Sequence, residues 1–293
     1  MIKDRRHEKR YIPIDFFPKE TFSDYPSADH LTLTLITDGS WEFFLNSTEY
    51  RITAPFILCL NAEDNFEVIN QFRSAAKTFV FHPTFLNSSL TLDALRKDAF
   101  ETIEDMHDRN ILQSFLVRNE TYHGFFALDA FSSLQINTSL SIIGSECLSQ
   151  SDGMWTCRIR RYLLQILYLL EDSFLQNYGK RTSDKLPIDY ALEYIHSNYH
   201  LGITLNSISK YVGLNRTTLN NQCKTKTGMT IIQYLNHYRI KMAEEALTHT
   251  NLSLNEIATC CGYNYDSYFI KIFSEKHNIT PTEYRKRKWS SDK

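Results

Sequence analysis

Between Arg216 and Lys224, and again between Asp266 and Lys271, short polar side chains recur at the three- and four-residue spacing of one helix face. The first stretch offers Arg216, Thr217, Thr218, Asn220, Asn221 and Lys224. The second offers Asp266, Ser267, Tyr268 and Lys271. Their chemistry is hydrogen bonding and charge, not bond breaking. An Asn amide pairs with the edge of adenine, hydroxyls fit several base edges, and cations with helix N-termini hold phosphates. For any single Asn or Thr the plainer reading is a solvated side chain. Asp266 can equally cap its helix, and Tyr268 can pack on a core.

Groupings suited to catalysis are missing from the sequence. It has no HExxH, no GxSxG, no phosphate-binding P-loop and no GxGxxG. His30 and His82 stand in the front part without a His-x-His pair beside them. His196 and His200 are four apart and could share a helix face, but they fall at a helix end, where a solvated His is the commoner case. Cysteines 59, 147, 157, 223, 260 and 261 show no CxxC and read as reduced thiols, mostly small buried groups. We therefore expect no catalytic residues, no bound metal and no cofactor.

The elements that must position the polar faces are duplicated. Ile203–Asn215 reads ITLNSISKYVGLN and Leu252–Asn264 reads LSLNEIATCCGYN, 49 residues later. Leu205/Leu254, Asn206/Asn255, Ile208/Ile257, Gly213/Gly262 and Asn215/Asn264 stay in register. Each copy has an amphipathic helix, a Gly able to take positive φ, and a second helix, which is the outline of a helix-turn-helix. The units are placed at about 204–226 and 253–276.

Ile188, Leu192, Ile195 and Tyr199 mark a helix ahead of the first unit. Leu205, Ile208, Val212 and Leu219 point inward in that unit, as do Phe269 and Phe273 in the second. Ala258 stands where the first copy has Ser209, so a small side chain lets the helices of each unit approach. Thr230/Gln233, Ser253/Glu256 and Thr280/Glu283 are capping-box pairs opening three helices. The long helix from Thr230 to Thr248 would hold two groove readers roughly 34 Å apart, one turn of duplex. A basic run, Arg285–Lys288, closes the region.

The chain has 293 residues, 42% hydrophobic and 23% charged, enough for about two ordinary domains. Its net charge of −2 excludes a general basic coat. The charge is uneven: residues 188–293 hold 13 Lys+Arg against 9 Asp+Glu, and the remainder is net acidic. The N-terminal MIKDRRHEKR has no apolar core of a signal peptide, and the apolar stretch near Leu163–Leu170 is far too short to span a membrane. A cytoplasmic protein without a membrane partner is expected.

The front is β-rich. Leu31–Leu35 alternates as a strand, Asp38-Gly39 reads as a hairpin turn, and Trp41–Leu45 as the return strand. Short strands follow at 49–52, 56–60, 66–69 and 78–81. This spacing suggests a small barrel or sandwich able to hold one small ligand. Trp41, Phe43, Phe44, Phe56, Phe79 and Phe81 are read as core, so the ligand-binding residues stay unknown. Residues 158–178 form one long helix, with Ile159, Leu163, Ile166, Leu167, Leu170 and Phe174 on one face. That face is either docked on the barrel or a dimer seam. Gly179–Pro187 is polar, punctuated and aperiodic, a linker.

Residues 188–288 resemble the AraC/XylS family of bacterial transcription regulators. The resemblance rests on Ser253-Leu-Asn-Glu-Ile-Ala258, Cys261-Gly-Tyr263, Ser267-Tyr-Phe269, Ile272-Phe273, Ile279–Arg285, Thr227-Gly228 and Tyr234–Ile240. The front is similar to the family's cupin-like sensor, with Phe81–Leu86 closing the barrel. The resemblance implies that Thr217, Asn220 and Asn221, and Asp266, Ser267 and Lys271, hold base-reading positions. Asn221-Gln222-Cys223 departs from the family pattern, in which an Arg, an apolar residue and a Phe are usual; Asn221 would read adenine in place of guanine. Asn278 replaces a common Gly.

The expected architecture is α+β and multidomain. It has a cupin-like β-barrel at 1–105, a helical dimerisation segment at 106–178, a linker at 179–187, and an all-α DNA-binding domain with two helix-turn-helix motifs at 188–293. The resemblance implies a sequence-specific transcriptional activator with an effector-sensing front domain. Its partners would be double-stranded promoter DNA, a second copy in a homodimer, a small-molecule effector and RNA polymerase. The alternatives are a cupin-type metal enzyme and an interaction module that has lost specific DNA binding.

Overall fold

The computed structural model describes residues 1–5, 11–19, 29–100, 102–178 and 185–291. Most of the stretch read as a linker lies outside the described residues. The chain divides into two compact units, Met1–Ser151 with Arg158–Arg181, and Asp152–Cys157 with Thr182–Lys293.

The first unit is built on antiparallel strands. β1 (Ile2–Lys3) and β2 (Tyr11–Ile12) pair with each other. A six-stranded sheet uses β3 (Ile14–Phe17), β4 (Leu31–Leu45), β5 (Thr48–Thr53), β6 (Phe56–Leu60), β7 (Phe66–Phe81) and β8 (Phe125–Ala127). Its order is β3-β7-β4-β6-β8, with β5 also on β4. β7 runs along one edge of β4, while β6 and then β5 share the other.

The Asp38-Gly39 hairpin is corrected by this register. β4 continues through it, with the register slipping on either side of Asp38. Gly39 has φ +85, and a Cβ there would lie 2.2 Å from the Phe72 carbonyl oxygen. The dipeptide is a bulge that bends a long strand, a role with the same need for positive φ as a turn. The strands read separately at 66–69 and 78–81 are likewise one, β7. The tight turn lies at Asn46-Ser47, with φ +49 and +68, the two consecutive positive values of a type I′ hairpin.

Inside the bend, Trp41, Phe43 and Phe56 are fully buried. Phe43 meets Phe66 at 5.1 Å and Phe125 at 5.6 Å, and Trp41 Nε1 donates to Ser74 Oγ at 2.6 Å. Phe79 and Phe81 are also buried, so five of the six front aromatics are core; Phe44 is the exception at 38% exposed. Arg118 ion-pairs with Asp64 and donates to the Cys59 carbonyl at 2.8 Å, tying the loop before β8 to β6. Burial pushes the Cys59 thiol up to about 12.

Helices cover the sheet: α1 (Leu92–Lys97), α2 (Ile103–Asn110), α3 (Gln113–Leu116), α4 (Ala130–Ser149) and α5 (Trp155–Asn177). The stretch 106–178 is therefore not wholly helical, because β8 inside it joins the sheet. All six apolar positions named on α5 are buried within the chain, Ile159 to Phe174 at 3% exposure or less. They are core, which removes them as a dimer seam. Gly144 lets α4 lie on β3: a Cβ there would sit 2.3 Å from Phe16.

The second unit contains α6 (Pro187–Asn198), α7 (Leu205–Val212), α8 (Arg216–Thr227), α9 (Ile231–His249), α10 (Leu254–Cys260), α11 (Asp266–His277) and α12 (Pro281–Ser291). Its core gathers Ile188, Leu192, Ile195, Ile208, Leu219, Tyr234, Tyr238, Ile257, Phe269 and Phe273 around α9. His196 is not solvated. It is fully buried, stacks on Tyr238 at 4.0 Å and shares a 2.8 Å hydrogen bond with the Tyr234 hydroxyl. An amphipathic ring that is hydrogen-bonded and stacked is stable in such a core. Among the described residues, no helix is long and apolar enough to cross a membrane.

Candidate nucleic-acid interface

Each reading helix is set by a braced helix and a turn. In the first unit the Thr204 hydroxyl accepts from Ser207 N–H, capping α7, and Gly213 ends it at φ +68. Asn215 then caps α8 through Thr218 N–H at 2.9 Å. The buried Ser209 hydroxyl donates to the Leu214 carbonyl inside the turn. In the second unit Ser253 and Glu256 form the expected capping box on α10, and Gly262 turns at φ +79. Here the small residue is Ala258, 1% exposed. The Thr230/Gln233 and Thr280/Glu283 boxes also form, opening α9 and α12. Asn278 ends α11 in the left-handed region at φ +56.

The turns differ in their surroundings. Around Gly213 nothing lies within 4 Å of a would-be Cβ, whereas at Gly262 it would meet the Tyr199 carbonyl oxygen at 2.4 Å. Arg239, from the middle of α9, donates to that same carbonyl at 2.8 Å and to Leu201 O. Its guanidinium lies over the Tyr263 ring at 5.7 Å. Burial holds the Arg239 pKa below its ordinary value and pushes Tyr263 up. Arg239 thus locks the second turn to the loop after α6.

On α8, Arg216, Thr217, Asn221 and Lys224 are exposed, and Thr218 is half-buried. Arg216 donates to Asn206 Oδ1 at 3.1 Å, held beside the bracing helix. Asn220 faces elsewhere: its Oδ1 accepts from Ile231 N–H at 3.1 Å, so its amide serves the start of α9. Lys226 ion-pairs with Asp189 of α6, while Thr225 is exposed beside Lys224. Asp189 also accepts from Leu186 N–H at 2.8 Å.

On α11, Asp266, Ser267, Tyr268 and Lys271 all face solvent. Asp266 Oδ1 accepts from Ser267 N–H at 2.6 Å, and Lys271 Nζ is 3.9 Å from Glu275. Sequence reasoning missed Tyr265, the N-cap residue of α11, which is 72% exposed. Its signal was present: 49 residues on from Arg216, a large aromatic stands where the first copy has a cation. In the basic run, Arg285 turns inward to the Leu252 carbonyl, and Lys286, Arg287 and Lys288 stay exposed on α12. Away from these faces, His30 and His82 meet edge to face at 5.8 Å. Among the described residues no three His, Cys, Asp or Glu side chains gather as metal ligands would.

A family model described as a helix-turn-helix domain matches residues 208–287. The chain is 21% identical over 284 residues to the HTH-type transcriptional activator RhaR of Cronobacter sakazakii, spanning 94% of this chain and 91% of that protein. It is 29% identical over 128 residues to the lactose operon transcription activator of Staphylococcus xylosus, across 43% of this chain and 46% of the relative. Among solved structures, a Chromobacterium violaceum transcriptional regulator described by its AraC-type DNA-binding domain aligns at 25% identity, covering 35% of this chain and 91% of that one with a TM-score of 0.34. These relatives are transcription regulators. With two capped helix-turn-helix units in its C-terminal region, the chain is a DNA-binding transcription regulator whose residues 208–287 form a helix-turn-helix domain similar to that of the AraC/XylS regulators.

Proposed function

We propose that residues 188–293 bind promoter DNA through α8 and α11, and that the first unit senses a small molecule and pairs two copies of the chain. The observation that carries this reading is the pair of reading helices. Each follows a positive-φ glycine turn, is braced by a capped helix, and exposes a polar face. Thr217, Thr218, Asn221 and Lys224 form the first contact set, with Arg216 oriented by Asn206. Asp266, Ser267, Tyr268 and Lys271 form the second. The bent antiparallel sheet is read as the family's cupin-like sensor. Activation is carried over from the activator relatives; RNA polymerase as partner and the cytoplasm as the place of action belong to the same proposal.

Pairing is supported by α4. Phe131, Leu134, Thr138, Ser141, Ser145 and Leu148 lie exposed at alternating spacings of three and four. Phe131, Leu134 and Leu148 are 68%, 64% and 65% exposed. The helix's one charged side chain, Glu146, is tied to Arg158 at 2.7 Å. Two copies laid antiparallel, with a two-fold between Thr138 and Ser141, set Phe131 against Leu148, Leu134 against Ser145 and Thr138 against Ser141. That arrangement is self-complementary, as an isologous interface requires.

Binding of the whole chain to random duplex at rising salt tests the central claim. We expect log K to fall linearly with log salt, and selection from a random pool to yield a defined sequence. A flat salt response would revive the interaction module that has lost DNA binding.

A further inference from the structure

The two reading helices differ in charge and in aromatic content. α8 carries Arg216, Lys224 and Lys226 and no carboxylate. On α11, Asp266 and Glu275 offset Lys271 and Lys276, and Lys276 donates to Glu244 at 2.9 Å. Of the two reading helices, α8 is therefore the one with net positive charge to draw phosphate, through Arg216 and Lys224. What α11 presents at its N-terminal end is ring surface. Tyr265 is 72% exposed, and its side chain has no hydrogen-bond or ring partner among the described residues. Tyr268, almost one turn on, is 49% exposed and braced edge-on by Tyr263 at 6.1 Å.

Neither capping nor packing explains Tyr265. It holds the N-cap position of α11 and makes no capping hydrogen bond. Thr204, Asn215, Thr230 and Ser253 all cap their helices in this unit, as short polar side chains ordinarily do. A ring with two torsions is large, rigid and costs little entropy to fix. It stands at the end of the helix that a helix-turn-helix inserts into the major groove. There, the apolar feature of a base edge is the C5-methyl group of thymine.

Resting on the DNA-binding reading above, we propose that α11 reads thymine: the Tyr265 ring packs on the C5-methyl of one thymine in the second half-site, with Tyr268 flanking it. The second helix-turn-helix then selects by apolar contact, while the first supplies phosphate attraction through Lys224 and amide readout through Asn221.

The test uses the whole chain and a duplex selected from a random pool. Each thymine is replaced in turn by deoxyuridine, which removes only the methyl group. At one thymine of the second half-site, wild-type binding is expected to weaken about fourfold, the transfer free energy of one buried methyl-sized group. Tyr265→Ala is expected to bind the thymine and uracil duplexes equally, and Tyr265→Phe to keep the preference. Asn221→Ala is expected to retain it, and Lys224→Ala to lower the salt slope by about one without touching it. If Tyr265→Ala lowers the melting temperature, the Phe variant still decides. Indifference of the wild type to every methyl, or loss of the preference in Tyr265→Phe, overturns the proposal while leaving DNA binding intact. A chain that selects no sequence at all overturns the DNA-binding reading as well.

Discussion

Asn220 and Asn221 are neighbours of one residue type, and their fates diverge. In the sequence both sit on the polar face of α8. In the structure, Asn220 Oδ1 accepts the Ile231 N–H at 3.1 Å, while Asn221 stays exposed. A helix start leaves its first N–H groups unpaired, and Asn220 supplies one of the missing acceptors. The two alanine variants should therefore separate. Asn220→Ala should lower stability by about 1 kcal/mol and leave base preference unchanged. Asn221→Ala should leave melting unchanged and relax preference at one base pair. Thermal unfolding and selected-sequence profiles read the two effects. If Asn220→Ala alters base choice with no loss of stability, the assignment of its amide to α9 fails. His196 teaches a similar point: a position at a helix end looked solvated, but Tyr234 and Tyr238 bury it. Tertiary partners of this kind leave no mark in local spacing.

At the scale of elements, legibility followed how local the forces are. The helices of the second unit could be read because their caps lie within three residues of their starts. The Thr230, Ser253 and Thr280 boxes all form. α4 was read only as part of a helical stretch at 106–178, without bounds of its own. Its sequence is rich in Ser, with Asn, Thr, Gly and β-branched Ile, all modest or poor helix formers. It is helical because Ile136, Leu140, Ile143 and Cys147 bury themselves in the unit. The strand pattern failed at Asp38-Gly39 because a bulge and a turn demand the same backbone freedom. The two glycine turns give a contrast at this scale. Gly213→Ala meets only the strain of φ +68 in open space, about 1 kcal/mol. Gly262→Ala adds a clash with the Tyr199 carbonyl, an overpacking cost of about 1–3 kcal/mol. Thermal unfolding of the two variants should show the second markedly less stable; equal melting would refute a difference between the turns.

For the whole molecule, the proposed pairing of two copies rests on α4. Leu134→Glu replaces one of the stripe's three large apolar contacts with a carboxylate, two turns from where Lys77 meets Ser141 Oγ at 2.8 Å, and should convert the proposed dimer to a monomer in sedimentation, with the fold intact because Leu134 is 64% exposed. An unchanged mass would remove α4 as the pairing surface. The sequence by itself determined the two helix-turn-helix units, their caps and turns, and the strand-rich front, because these rest on short-range backbone chemistry and apolar periodicity. It also marked the resemblance to the AraC/XylS regulators, through motifs concentrated in the last hundred residues. Only the tertiary structure decided which polar side chains remain available for a groove. Asn220 and Arg285 satisfy backbone groups of distant elements, α5 spends its apolar face on the core, and Tyr265 is left with its ring in solvent. Those outcomes depend on contacts between residues far apart in the chain, which only packing brings together.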